Sequence, residues 1–239
     1  MSSSQDGSAS ADTATAADAA TADATTAADG PPTPPDSDEY EPPKRAGYRA
    51  GTPFRYSALT LTLLSVVVAP VALAVFAWLA TTTSGVETAL PFVVFEETAE
   101  GFTLGVDGIE FGTVLVVSLV GTVALHEFVH GLAFRTLGFR VSFGVAPRLG
   151  AFYTAIFEQF QTRRQLAVAV IAPLVVLTPL GVALLLIPGP HVPYVWFGLV
   201  LNTGGAVGDL FVVWRLRGLP PGTLFYDVDA YTSYIYEPE

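Results

Sequence analysis

The sequence predicts an all-α integral membrane protein with four transmembrane helices and a short β-hairpin-like cytoplasmic loop. Three observations carry that expectation. Apolar residues make up 51% of the 239-residue chain and charged residues only 14%, a balance typical of membrane proteins. Four apolar segments each approach or exceed the ~20 residues that cross a ~30 Å hydrocarbon layer. The basic residues gather in alternate connections, as the positive-inside rule requires of a multipass chain.

The chain opens with a stretch that cannot fold alone. Nine of its 22 acidic residues fall in residues 1 to 43, before the first basic residue, Lys44, and a proline cluster closes the stretch. Low hydrophobicity with one sign of charge predicts disorder, and we draw this acidic tail over residues 1–52, with the membrane domain over 53–239. The tail has neither the basic first region nor the apolar second region of a signal peptide. One lysine against ten arginines, with Asp, Ala and Thr crowding the tail, resembles the composition of salt-accumulating halophiles.

The predicted crossings are Ser57–Thr82, Phe111–Phe134, Leu166–Pro188, which Pro173 and Pro179 should bend, and Val192–Trp214. Lys44, Arg45, Arg49 and Arg55 precede the first. The Thr83–Glu110 loop has six acids and no base, Arg135–Gln165 holds five arginines, and Arg215 and Arg217 follow the fourth crossing. Every loop then agrees with a cell-membrane protein whose N- and C-termini are cytoplasmic.

Near the end of the second crossing stand His126, Glu127 and His130, in the order His-Glu-x-x-His. On a helix the two histidines lie one turn apart on one face, so both imidazoles can bind one metal ion. Bound zinc would acidify a water whose proton Glu127 takes and passes on. Ionisable groups inside a membrane are costly, so such a cluster implies a task or a partner. A polar cluster satisfied by a neighbouring helix, or lying at the water interface, is the plainer reading.

Depth supplies a third candidate ligand. His130 lies five residues before Arg135 and Asp209 six before Arg215, on crossings that run the same way, so at ~1.5 Å per residue they reach similar depth. Asp209 can meet the histidines there, or else cap its helix or pair with Arg215. Asn202, two turns before Asp209 on the same face, could orient a ligand, hold a substrate carbonyl, or join helices as a buried amide. Gly204, Gly205 and Gly208 suggest close helix packing.

The loop GFRVSFGVAPRLGAFYTAIFEQFQTRR alternates around Val141–Val145 and Ala151–Thr154, which predicts a hairpin dipping toward the site. Its free edge could hold an extended peptide, or the hairpin could simply cover the cavity. Arg148 reads as an anchor, His191 as a solvated loop residue, and Asp227 and Asp229 as turn residues of a terminal hairpin.

These pieces together are similar to the putative zincin peptidase family of multipass membrane proteins, over about Tyr56 to Tyr236. The matching pieces are HEFVHG at 126–131, the loop through Ala151–Tyr153, IAPLV at 171–175, NTGGAVGDL at 202–210 and the tail YDVD. More remotely the chain resembles site-2 proteases, although Asp209 lacks the Asp-Gly pair typical of them. The resemblance implies that His126, His130 and Asp209 ligate one zinc ion and that Glu127 is the general base.

The function expected is therefore a zinc metalloprotease in the lipid bilayer, acting on membrane-protein or peptide substrates near the cytoplasmic face. The alternative is a noncatalytic metal-binding scaffold or metal-handling protein. Zero cysteines exclude disulfides, thiolate ligands and a cysteine nucleophile. With no basic stripe to neutralise phosphates, nucleic acid is not an expected partner. Haem is disfavoured because two histidines on one helix face cannot take opposite axial positions of one ring.

Overall fold

A computed structural model describes residues 41–54, 58–99, 101–146, 151–228 and 232–239. The acidic stretch before residue 41, Arg148 and Asp229 lie outside the described residues. In chain order the elements are β1 (Thr52–Phe54), α1 (Ala58–Ser84), α2 (Val86–Ala89), β2 (Val93–Thr98), β3 (Gly101–Val106), α3 (Gly108–Thr136), β4 (Ser142–Ala146), β5 (Ala151–Ala155), β6 (Phe160–Thr162), α4 (Arg163–Leu185), α5 (Val192–Arg217), β7 (Leu224–Asp227) and β8 (Ser233–Tyr236).

Helices α1, α3, α4 and α5 fall on the four predicted crossings, and all four are long and apolar enough to cross a membrane. Their outward side chains are apolar: Leu63, Val67 and Val71 on α1, Val116 and Val120 on α3, and Val175 on α4 are all exposed. Helix α3, with 29 residues, is ~43 Å long at ~1.5 Å per residue, so its ends outreach a ~30 Å hydrocarbon layer. It starts at Asp107, whose carboxylate accepts the Ile109 and Glu110 amides at 2.9 and 3.0 Å, and Arg135 sits in its last turn. Both suit the helix dipole. Thr162 and Gln165 close a reciprocal capping box at the start of α4.

Helix α5 packs against α1, α3 and α4. Its Trp196 indole donates to the Ala89 carbonyl at 2.8 Å, and the Tyr194 carbonyl accepts from Ser118 of α3 at 3.1 Å. The tight helix approaches lie at glycines other than those singled out from sequence. A Cβ on Gly181 would meet Leu199 at 2.6 Å, and one on Gly198 would meet Thr122 at 3.0 Å, whereas Gly204 and Gly208 have open space.

The chain is mostly helical, but the all-α expectation needs correcting, because three small sheets are present among the described residues. The Thr83–Glu110 loop contains the antiparallel pair β2–β3, with Phe95 opposite Leu104 and Val93 opposite Val106. In β3 the apolar residues Phe102, Leu104 and Val106 recur at every second position, which is strand patterning. The expected hairpin between α3 and α4 is β4–β5.

The terminal hairpin β7–β8 does form, inside a four-stranded sheet ordered β1-β8-β7-β6. Alternation gives it two buried faces: Leu224, Tyr226 and Tyr236 pack with Tyr48 and Phe160, while Phe225 and Ile235 pack on Leu216 and Leu166 at the helix ends. Part of the stretch assigned to the tail from sequence lies against this sheet, with Tyr48 bridging Pro238 and Thr52 opening β1. The Tyr236 hydroxyl donates to the Pro43 carbonyl at 2.9 Å, and the Arg45 guanidinium lies 4.5 Å from the Phe160 ring centroid.

Candidate metal centre

Helix α3 brings His126 and His130 to the same side, and α5 brings Asp209 to meet them. The His126 and His130 Nε2 atoms are 3.2 Å apart. Asp209 Oδ2 lies 3.3 Å from His126 Nε2, and Oδ1 lies 3.6 Å from His130 Nε2. The depth match read from the loop arginines therefore has its counterpart in space. Among the described residues the Asp209 carboxylate lies against the two histidines and not against Arg215.

The other ring nitrogens are both engaged. His126 Nδ1 donates to Asn202 Oδ1 at 3.0 Å, and Asn202 Nδ2 donates to Thr178 Oγ1 at 3.2 Å. His130 Nδ1 donates to the Ala169 carbonyl at 2.9 Å. Sequence reasoning missed Ala169 and Thr178, yet a signal for the first existed. In a helix the Ala169 carbonyl would accept the amide of residue 173, and residue 173 is proline. Proline has no N–H to offer, so that carbonyl is left to take the histidine.

These partners decide the chemistry of the cluster. An amide oxygen and a carbonyl only accept, so each neutral imidazole carries its hydrogen on Nδ1 and a lone pair on Nε2. Two Nε2 lone pairs and an acceptor-only carboxylate then converge with no donor among them. Asp209 Oδ2 is buried and has no hydrogen-bond donor. Such a knot of acceptors calls for a cation. The separations of 3.2, 3.3 and 3.6 Å, the last two made by different oxygens of the one carboxylate, bracket the ~3.3–3.4 Å ligand separation of a tetrahedral site with bonds of ~2.0–2.1 Å.

Glu127 is half-buried beside them. One of its carboxylate oxygens and one ring nitrogen from each histidine lie within 4.8 Å of one another. The side chains of His126, His130 and Asp209 are 12%, 10% and 17% exposed, so the cluster is secluded but not sealed. Gly205 of α5 faces it, its missing Cβ 3.9 Å from His126 Cε1.

The β4–β5 hairpin lies on the same turn of α3. Thr154 of β5 donates its hydroxyl to the Glu127 carbonyl at 2.8 Å. A Cβ on Gly131 would fall 2.2 Å from the Phe143 ring of β4, so the glycine that ends HEFVHG admits that strand. Phe143 and Thr154 are register partners and share a face. Among the described residues neither outer edge of this two-stranded sheet pairs with another strand.

His191 and Asp227 are placed elsewhere. The His191 Nε2 donates to the Leu184 carbonyl at 3.1 Å, in the turn between α4 and α5. Asp227 ends β7, accepting from Gln161 Nε2 at 3.0 Å and Ser233 Oγ at 2.6 Å.

A family model described as "Putative zincin peptidase" matches residues 119–224, a span that holds the two histidines, Glu127, the β4–β5 hairpin, Asn202 and Asp209. The family resemblance read from HEFVHG, IAPLV and NTGGAVGDL is thus met, and only YDVD lies past the match. Comparison with curated proteins and with solved structures gave no match.

Proposed function

We propose that this chain is a membrane-embedded zinc metallopeptidase that hydrolyses peptide bonds near the cytoplasmic face of the cell membrane. The observation that carries the reading is the convergence of His126 Nε2, His130 Nε2 and the Asp209 carboxylate beside Glu127, with separations of 3.2 to 3.6 Å. In this reading those three residues hold one zinc ion and Glu127 is the general base. Zinc, when bound, supplies Lewis acidity toward a carbonyl oxygen and lowers the pKa of water.

The protein's own groups do the rest. Glu127 takes a proton from the attacking water at a carboxylate oxygen and delivers it to the departing amine nitrogen. Asn202 and the Ala169 carbonyl hold the two rings with Nε2 forward, as outer partners of metal-bound histidines do. The free edge of the β4–β5 hairpin would bind substrate as an added strand, which presents an extended peptide bond to the site. Arg135, Arg215 and Arg217 end α3 and α5 on the same side, which supports a cytoplasmic position for the centre and for the termini.

The test uses the purified full chain. Wild type and Glu127→Gln should each bind about one zinc, whereas His126→Ala and Asp209→Ala should bind far less. Cleavage of an unfolded reporter peptide by wild type should fall by ~10²–10⁴-fold in Glu127→Gln. Equal, negligible zinc in wild type and His126→Ala would remove the centre. Zinc binding with equal hydrolysis in wild type and Glu127→Gln would remove the assigned base, and zinc binding with no hydrolysis in either would leave a metal-binding scaffold.

A further inference from the structure

A cavity of about 510 Å³ opens between the start of α4 and the end of α5. Arg163, Arg164 and Arg217 line it, together with Thr162, Thr223 and the apolar side chains Ala167, Val213 and Leu216, and none of its lining residues is acidic. The Arg163 guanidinium donates to the Leu219 carbonyl. Arg164 and Arg217 are exposed, and among the described residues neither is in an ion pair.

Two features make this concentration of positive charge unfavourable as it stands. Arg163 and Arg164 occupy the first turn of α4, which contains no acid, where the helix dipole already presents its positive end. The first turn of α3, by comparison, has Asp107 at its cap and Glu110 within it. The three arginines also share one cavity without a counter-charge among its lining residues. An anion in the cavity would relieve both, and guanidinium groups match the geometry of phosphate oxygens.

The shape of the cavity narrows the ligand. Its arginines stand in the first turn of α4 and the last turn of α5, and the apolar Ala167 and Val213 lie one turn further along the same two helices. A polar mouth over an apolar floor suits a phosphate head with acyl chains running along the helices. We infer that this cavity binds a phosphate-type anion, carried by the headgroup of an anionic phospholipid. The site is separate from the histidine cluster and involves neither its residues nor its metal.

Native mass spectrometry of the full chain in detergent, with equal amounts of phosphatidylglycerol and phosphatidylcholine, tests this. Phosphatidylglycerol should be retained preferentially by wild type. At roughly fivefold per basic residue near an anionic lipid surface, Arg164→Gln/Arg217→Gln should weaken that retention by roughly 25-fold, while Arg164→Lys/Arg217→Lys keeps most of it. If lipid is not retained but inorganic phosphate raises the melting temperature of wild type and not of the Gln pair, the phosphate chemistry stands and its source is soluble. Equal retention of both lipids by wild type with no phosphate effect would overturn the inference, a comparison that needs no variant to fold. Phosphatidylglycerol held equally by wild type and a folded Gln pair would also overturn it.

Discussion

Replacing Asn202 by leucine tests how the centre is oriented. Asn202 is 2% exposed, so water cannot stand in for its side chain, and leucine of similar size leaves little void. The substitution removes the acceptor of the His126 Nδ1 hydrogen bond, at 3.0 Å, in a ring whose side chain is 12% exposed. An orphaned buried donor costs ~1–3 kcal/mol. Loss of the outer partner of a metal-bound histidine lowers metal affinity ~10–100-fold, or ~1.4–2.7 kcal/mol, and the two ranges agree. The assay is zinc titration of the purified protein against a competing chelator, with thermal unfolding to confirm folding. Thr178→Val, one contact further out, should weaken zinc less than Asn202→Leu. Unchanged zinc affinity in a folded Asn202→Leu protein would refute the orienting role.

Two further predictions concern the surroundings. Gly131→Ala should push the β4–β5 hairpin off α3, because the new Cβ would fall 2.2 Å from the Phe143 ring; we expect faster limited proteolysis of that hairpin, an overpacking cost of ~1–3 kcal/mol, and reversal by adding Phe143→Ala. A double variant as impaired as Gly131→Ala alone would refute the contact. At Asp227, burial pushes the carboxyl above its ordinary 3.8, against the opposing pull of the Ser233 and Gln161 hydrogen bonds. The folded state then holds its proton longer than the unfolded chain, so stability should fall as pH rises from about 3.8 through the raised value. Asp227→Asn should flatten that slope in denaturation midpoints measured across the window, and an identical slope in both proteins would exclude this carboxyl as the source.

Much of the centre was legible because membrane helices obey few rules and obey them closely. His126 and His130 share a face by periodicity alone, and Arg135 and Arg215 fixed the depths that let Asp209 be matched to them. The carbonyl of Ala169 carries no side-chain signature, and its availability followed only from Pro173 once the register of α4 was known. Thr178 was hidden for a related reason, since a threonine on an apolar helix is ordinary until its neighbour across the bundle is seen. The β2–β3 hairpin was passed over because Glu96, Glu97 and Asp107 made its stretch read as an acidic loop, although Phe102, Leu104 and Val106 already alternated. The inclusion of β1 and β6 in one sheet with β7 and β8 could not be read at all. Three-residue strands show no period, and their partners lie far off in the chain.

The two imidazoles are synthesised well before the groups that satisfy them. Helix α3 leaves the ribosome first, while Ala169 belongs to α4 and Asn202 and Asp209 to α5. Polar groups left bare in hydrocarbon each cost several kcal/mol, so a newborn α3 would be a poor lodger in lipid until its neighbours arrive. Insertion of α3 should accordingly be completed only as the fourth crossing arrives, and a ribosome stalled before Asn202 is translated should leave the histidine turn more open to water-soluble labels than in the finished chain.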